Sequence, residues 1–219
     1  MTQAKSPKAE APAYFEGCFP IRAVIFFDRE QAMLWSPAIK EHKRDRANHC
    51  VVEVTHVPPA RKAHVKSRLG RMMKADGETW NAVDFNFVAY LWEKERKGEP
   101  AAFLTFNIGT DERTPSGRLD WVQFTADLAY TRKASRKRGL GSFLAAAFED
   151  WLSQCRVYGD RVKRGGVYVS FNAEFYSEGG GSIGEILHDH FVLMKDMKGE
   201  MPMRALGWDI RDVDFNAGF

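Results

Sequence analysis

The residues best suited to chemistry lie between positions 127 and 142. Arg132, Lys133, Arg136, Lys137 and Arg138 put five cations into seven positions, and Gly139-Leu140-Gly141-Ser142 follows at once. Leu140, Leu144, Ala147, Phe148 and Trp151 then recur at helical spacing, which predicts a helix from about Gly139 to Gln154. The first turn of a helix leaves backbone N–H groups without partners, and its macrodipole places partial positive charge there. Glycines let a bulky anion approach those amides closely. Cations gathered at this end cost stability until an anion neutralises them. The pattern fits the capture of a phosphate or pyrophosphate. A basic strand-to-helix loop, with glycine used only for close packing, is the other reading.

The elements that must position this loop follow from periodicity. Ile21–Phe27 is a short apolar run and Cys50–Val57 alternates with β-branched residues, so both read as strands, the second ended by Pro58-Pro59. Asp28 can cap a helix running through Trp35 toward Arg46, with Pro37 arguing for a break. From Ala60 to Ala75, Val65, Leu69, Met72 and Met73 mark an amphipathic helix with a basic outer face, closed by Asp76-Gly77. Strands are expected over Asn81–Trp92, Ala101–Ile108 and Leu119–Thr131, with short connections that favour antiparallel pairing. After the Gly139–Gln154 helix come a strand at Val167–Phe171, a Gly-rich turn at Ser177–Ser182 and a helix from Ile183 to Met194. Met201-Pro202 breaks the chain, and Trp208–Phe215 is a last strand. The order from residue 80 is β-β-β-α-β-α-β, a mixed α/β (α+β) fold.

Arg136-x-x-Gly139-x-Gly141, between a strand and a helix, resembles the phosphate loop of the GNAT (GCN5-related) N-acetyltransferase superfamily. The three strands before it resemble that family's β-meander in order and spacing. Val167–Phe171 stands where its next strand falls, and Leu206-Gly207-Trp208 is similar to its Leu-Gly-Phe element. The resemblance covers residues 80 to 215, and with the N-terminal strands a single domain spans 14–219, after a disordered leader at 1–13. It implies a mostly antiparallel sheet flanked by helices and splayed between the family's fourth and fifth strands. It also implies acetyl-CoA, or another acyl-CoA, as donor, and direct attack by an amine on the thioester. The pyrophosphate would rest on the amides of Lys137, Arg138, Gly139, Leu140, Gly141 and Ser142, with Arg136 beside it. The pantetheine arm would pair along the strand edge near Tyr130, Thr131 and Lys133, and Asn172 would touch the same arm.

Within this resemblance the general base is sought on the strand before the loop. Asp127 lies among Phe124, Ala126 and Leu128, where a carboxylate needs a reason to exist, and burial would raise its pKa. Asp127 at a β-bulge, or paired with an arginine, is the structural alternative; Asp120 flanks the same strand. The family's acid Tyr falls here on Met203, so Tyr176 or a water would substitute, and a CoA binder without turnover also fits. The acceptor would be a small molecule, a protein or an aminoacyl-tRNA. The basic loop and the Arg61–Lys74 helix also fit a non-enzymatic nucleic-acid-binding module; nucleic acid is thus compatible but not required, as is a homodimer.

Composition narrows the field. The chain has 219 residues, 44% hydrophobic and 28% charged, with a net charge of +3, which suits a globular core and excludes an acidic disordered tail protein. No run nears the ~18 apolar residues of a membrane span, so no membrane partner is expected. Cys18, Cys50 and Cys155 are widely spaced, which fits reduced thiols in a cytoplasm better than a disulfide framework or a zinc site. His188 and His190, two apart, point to different faces of a helix and so would not share a metal; His190 reads as a core-edge residue beside Phe191.

Overall fold

The computed structural model describes residues 13–28, 49–80, 84–93, 96, 98–111, 117–174 and 188–218. The expected leader, the Asp28–Arg46 helix, the Gly-rich turn and Tyr176 lie, wholly or mostly, outside these. The strands are β1 (Tyr14–Phe15), β2 (Phe19–Pro20), β3 (Arg22–Asp28), β4 (His49–His56), β5 (Phe87–Glu93), β6 (Ala102–Thr110), β7 (Trp121–Thr131), β8 (Val167–Glu174) and β9 (Ile210–Gly218). The helices are α1 (Pro59–Ala75), α2 (Leu140–Ser153), α3 (188–196) and the short α4 (Met203–Leu206).

The protein is mixed α/β. Strands β3 to β9 form one seven-stranded sheet in sequence order. Pairing is antiparallel from β3 to β7, while β7–β8 and β8–β9 are parallel. The two parallel steps need crossovers, and α2 and α3 lie in those connections. A β1–β2 hairpin, not anticipated from the sequence, turns on Glu16 (φ 50°) and Gly17 (φ 70°). It drives Phe19 into the core against Phe124, Trp151 and Trp208.

Two apolar layers sandwich the sheet. Phe143, Leu144, Phe148 and Trp151 of α2 meet Phe87, Phe106 and Phe124 on one face. Leu69, Met72 and Met73 of α1 meet Val88, Tyr90, Phe103 and Tyr130 on the other. Strand β5 is therefore buried on both faces from Phe87 to Trp92 and lies inside the sheet. It starts later than expected because Asn86 spends its side chain on the backbone of β6. Its Nδ2 donates to Ile108 O and its Oδ1 accepts from Ile108 N–H, both at 2.9 Å. Residues 119 and 120 likewise stay outside β7: Leu119 bridges to Val162, and Asp111 Oδ1 accepts the Asp120 amide at 3.2 Å.

The Leu206-Gly207-Trp208 element locks the C-terminal part onto α2. Gly207 is left-handed (φ 76°), Val157 N–H donates to its carbonyl, and buried Trp208 donates Nε1–H to Leu152 O at 2.7 Å. Met203 opens α4 close by.

Candidate functional site

The register between β6 and β7 slips at one point. Thr105 pairs with Leu128 and Phe106 with Ala126, so Asp127 is an extra residue without a partner, a β-bulge. The bulge changes which side chains face which layer. Val122, Phe124 and Ala126 face α2 before it, whereas Leu128 and Tyr130 face α1 after it. A carboxylate tolerates this position because Thr105 Oγ1–H donates to Asp127 Oδ2 at 3.0 Å. Half-burial pushes the carboxyl pKa above its ordinary value, against the Thr105 bond, the Lys66 charge and a Trp80 hydrogen bond. Asp120 differs: it pairs with Lys163 (2.6 Å) and Arg211 (3.1 Å), and the Lys163 hydrogen bond leads in holding it below the usual carboxylate range. It braces the start of β7 as an ionised group.

The bulge also sits next to the last described pair between β7 and its parallel neighbour. Among the described residues, pairing between β7 and β8 runs from Trp121↔Tyr168 to Ala126↔Ala173, and β7 continues to Thr131 in its pairing with β6. Arg132 N–H donates to Ala101 O. Backbone groups alternate sides along a strand, so those of Ala129 and Thr131 point away from β6. Asn172 pairs with Thr125 in the register and lies on the α1 side, its Nδ2 donating to Ser170 Oγ at 3.2 Å.

The loop after β7 is tied down by acidic residues distant in sequence. Asp76, at the C-terminus of α1, accepts from Tyr130 Oη–H (2.7 Å) and Lys133 N–H (2.9 Å). The Tyr130 bond and then the Lys133 amide hold Asp76 below its ordinary pKa, while burial first and then Asp76 push Tyr130 up to about 12. Arg136 donates Nε–H to Thr131 O at 3.0 Å and lies over the Tyr130 ring. Glu78 meets Lys133 (3.4 Å) and Arg136 (3.5 Å), and Glu93 pairs with Arg138. The cationic cluster thus has internal counterions at three of its five positions, which the sequence argument for an obligatory anion did not include. Among the expected arm contacts, Tyr130, Thr131 and Lys133 already have protein partners. Ala129, passed over in the sequence, has backbone groups that point away from β6.

The helix start itself carries no cap. Gly139 is the N-cap residue with φ 75° and ψ 16°, no side chain caps the helix, and its first turn has no acidic residue. Lys137 is also left-handed at φ 63°, a costly conformation for a residue with a Cβ. A Cβ built on Gly139 would meet nothing within 4 Å, so packing does not explain the glycine. Leu140 is buried, and only its backbone can serve a ligand there.

Other features fall elsewhere. His188 contacts Asp189, whereas His190 is largely buried beside Phe191 with Nδ1 3.7 Å from Glu149 Oε1. Among the described residues, no group of three or more His, Cys, Asp or Glu could hold a metal. The three cysteines are buried and form no disulfide, and no helix of the described residues is long and apolar enough to cross a membrane. On the basic face of α1, Lys62 and Lys66 share Asp84, and Arg68 meets Glu99. No family model matches the chain, and no curated protein matches it significantly.

Proposed function

We propose that the protein is an acyl-CoA-dependent N-acetyltransferase of the GNAT type. The observation that carries this reading is the half-buried Asp127 on the bulge, directly after the last described β7–β8 pair, Ala126↔Ala173. Beyond it β7 runs on to Thr131, and an uncapped helix start closes the loop that follows. In this reading the sheet is splayed at that point and the thioester lies in the fork, with its carbonyl near Asp127. The pantetheine arm follows Ala129, and Thr131 once Arg136 leaves its carbonyl. The diphosphate takes the amides from Lys137 to Ser142, and Arg136 exchanges Thr131 and Glu78 for phosphate oxygens.

The residues divide the chemistry as follows. The acceptor amine arrives as an ammonium ion, and the Asp127 carboxylate takes its proton; a pKa above the usual carboxylate range makes it a better base. The amine nitrogen attacks the thioester carbonyl, the C–N bond forms, the C–S bond breaks, and the departing thiolate takes a proton from Tyr176 or from water; the acylated nitrogen sheds its surplus proton to the tyrosinate or hydroxide so formed, and Asp127 returns its own proton to solvent. Thr105 holds the base in place, and Asn172 contacts the arm.

The test is thiol release from acetyl-CoA with a panel of amines. Amine-dependent release that falls at least about a hundredfold in Asp127→Asn supports the assignment. Release in the variant equal to that of the wild type removes Asp127 as base. Acetyl-CoA binding without amine-dependent release would make the protein a binder without turnover.

A further inference from the structure

We propose that the cleft between α1 and the β4–β5 ladder, on the sheet face opposite α2, binds a small phosphate-bearing molecule and is separate from the donor site. The cleft has a volume of about 350 Å3, the lower end of the range for small-molecule sites. Arg61, Arg68 and Arg96 line it together with His56 and His64, and Glu53 is the one carboxylate among its lining residues. The buried rings of Tyr90 and Trp92 close its sheet side.

That carboxylate is already committed. Glu53 Oε1 meets Arg22 Nε at 2.7 Å, and Oε2 meets Arg96 Nε at 3.3 Å. Arg68 approaches Glu99 through Nε at 3.5 Å and lies 5.2 Å from the Tyr90 ring centroid; Arg96 lies 5.9 Å from that of Trp92. The ring contacts and the approach through Nε hold both guanidiniums beside the cleft, where their terminal N–H groups can meet a further acceptor. Arg61 is exposed and has no ion-pair partner among the described residues. His56 packs against Phe15 (4.7 Å) and Phe87 (5.2 Å), which also touch each other (5.6 Å).

Arg22, Arg61, Arg68 and Arg96 share the carboxylates of Glu53 and Glu99, so positive charge exceeds negative in a partly enclosed space and an anion relieves the repulsion. A phosphate suits them best, since several forks can each meet two of its oxygens. The confined volume favours a terminal phosphate over a polymer backbone. The pairing of Lys62 and Lys66 with Asp84 weakens the adjoining helix face as a nucleic-acid track.

The full chain is titrated calorimetrically at physiological salt with inorganic phosphate, with AMP and with a single-stranded oligonucleotide. The expected result is saturable binding of AMP that Arg61→Ala weakens about tenfold and that Arg136→Ala leaves unchanged. Arg61 is exposed, so its removal does not threaten the fold. Phosphate and AMP binding equally would assign the site to free phosphate; tighter AMP would assign it to an organic phosphate; both support the site. No saturable binding of either, or equal affinity in Arg61→Ala, overturns the proposal. Loss of AMP binding in Arg136→Ala also overturns it, because the phosphate would then sit in the donor loop. So does oligonucleotide binding that AMP cannot displace.

Discussion

Two glycines with nearly identical φ should respond very differently to a methyl group. Gly207 (φ 76°) and Gly139 (φ 75°) both occupy left-handed backbone, where any other residue costs about 1 kcal/mol. A Cβ on Gly207 would lie 2.6 Å from Ser153 O and 2.9 Å from Cys155 O. Both are backbone atoms at the end of α2 and cannot rotate aside. Relief would stretch the Val157–Gly207 and Trp208–Leu152 hydrogen bonds, an overpacking cost of about 1–3 kcal/mol. Gly207→Ala should therefore lose about 2–4 kcal/mol in total, a large share of the roughly 5–15 kcal/mol that holds a domain together. Gly139→Ala, with open space around its Cβ, should lose only about 1 kcal/mol. Urea unfolding followed by the fluorescence of buried Trp151 and Trp208 and by circular dichroism measures both. Failure of Gly207→Ala to fold would agree with the argument; equal losses, or a larger loss at Gly139, would refute it.

Further expectations follow from the ion pairs and the buried acids. Glu78→Gln releases Lys133 and Arg136, so acetyl-CoA affinity should rise about two- to fivefold by calorimetry; weaker binding would mean that Glu78 presents the cations rather than masks them. The rate of thiol release should climb as Asp127 deprotonates at a pH above the ordinary carboxylate range, and Asp127→Asn should abolish that limb of the profile. Burial raises Glu149 from 4.5 to about 7 and lowers His190 from 6.5 to about 4. The Glu149 contribution to stability is full below pH 4.5 and lost as pH rises through 7, whereas that of His190 is full above 6.5 and lost as pH falls through 4. The two trends oppose each other in the wild type. Urea unfolding of Glu149→Gln should thus reveal stability that falls below pH 6.5, and of His190→Gln stability that falls above pH 4.5; variants with the wild-type pH dependence would contradict this.

Most of the elements were legible in the residues because their signals are local. β-Branched alternation located β4, a four-residue recurrence of apolar side chains located α1 and α2, and Pro58-Pro59 and Asp76-Gly77 ended their elements where expected. The two-residue strands of the β1–β2 hairpin and the four-residue α4 are too short to show a period. Asn86 shortened β5 through a contact with Ile108, twenty-two residues away, that no window reveals. At the site, the basic loop and its glycines could be read directly. In the sequence the bulge at Asp127 is only the alternative to a catalytic base, since Asp127 becomes an extra residue only when Thr105 pairs with Leu128. The partners of the cations could not be read: Glu78 and Glu93 are more than forty residues from the arginines they meet, and Asp76, read as a helix stop, also anchors Tyr130 and Lys133.

The most direct test of the acyl-donor assignment is calorimetric titration with acetyl-CoA of the wild type, Arg136→Ala and Gly141→Pro. Proline in the first turn removes an amide that the helix itself does not use, and circular dichroism verifies that the helix persists. Saturable binding by the wild type, weakened about tenfold or more in both variants, is the predicted result. Absence of binding by the wild type, or identical affinities in all three proteins, would contradict it.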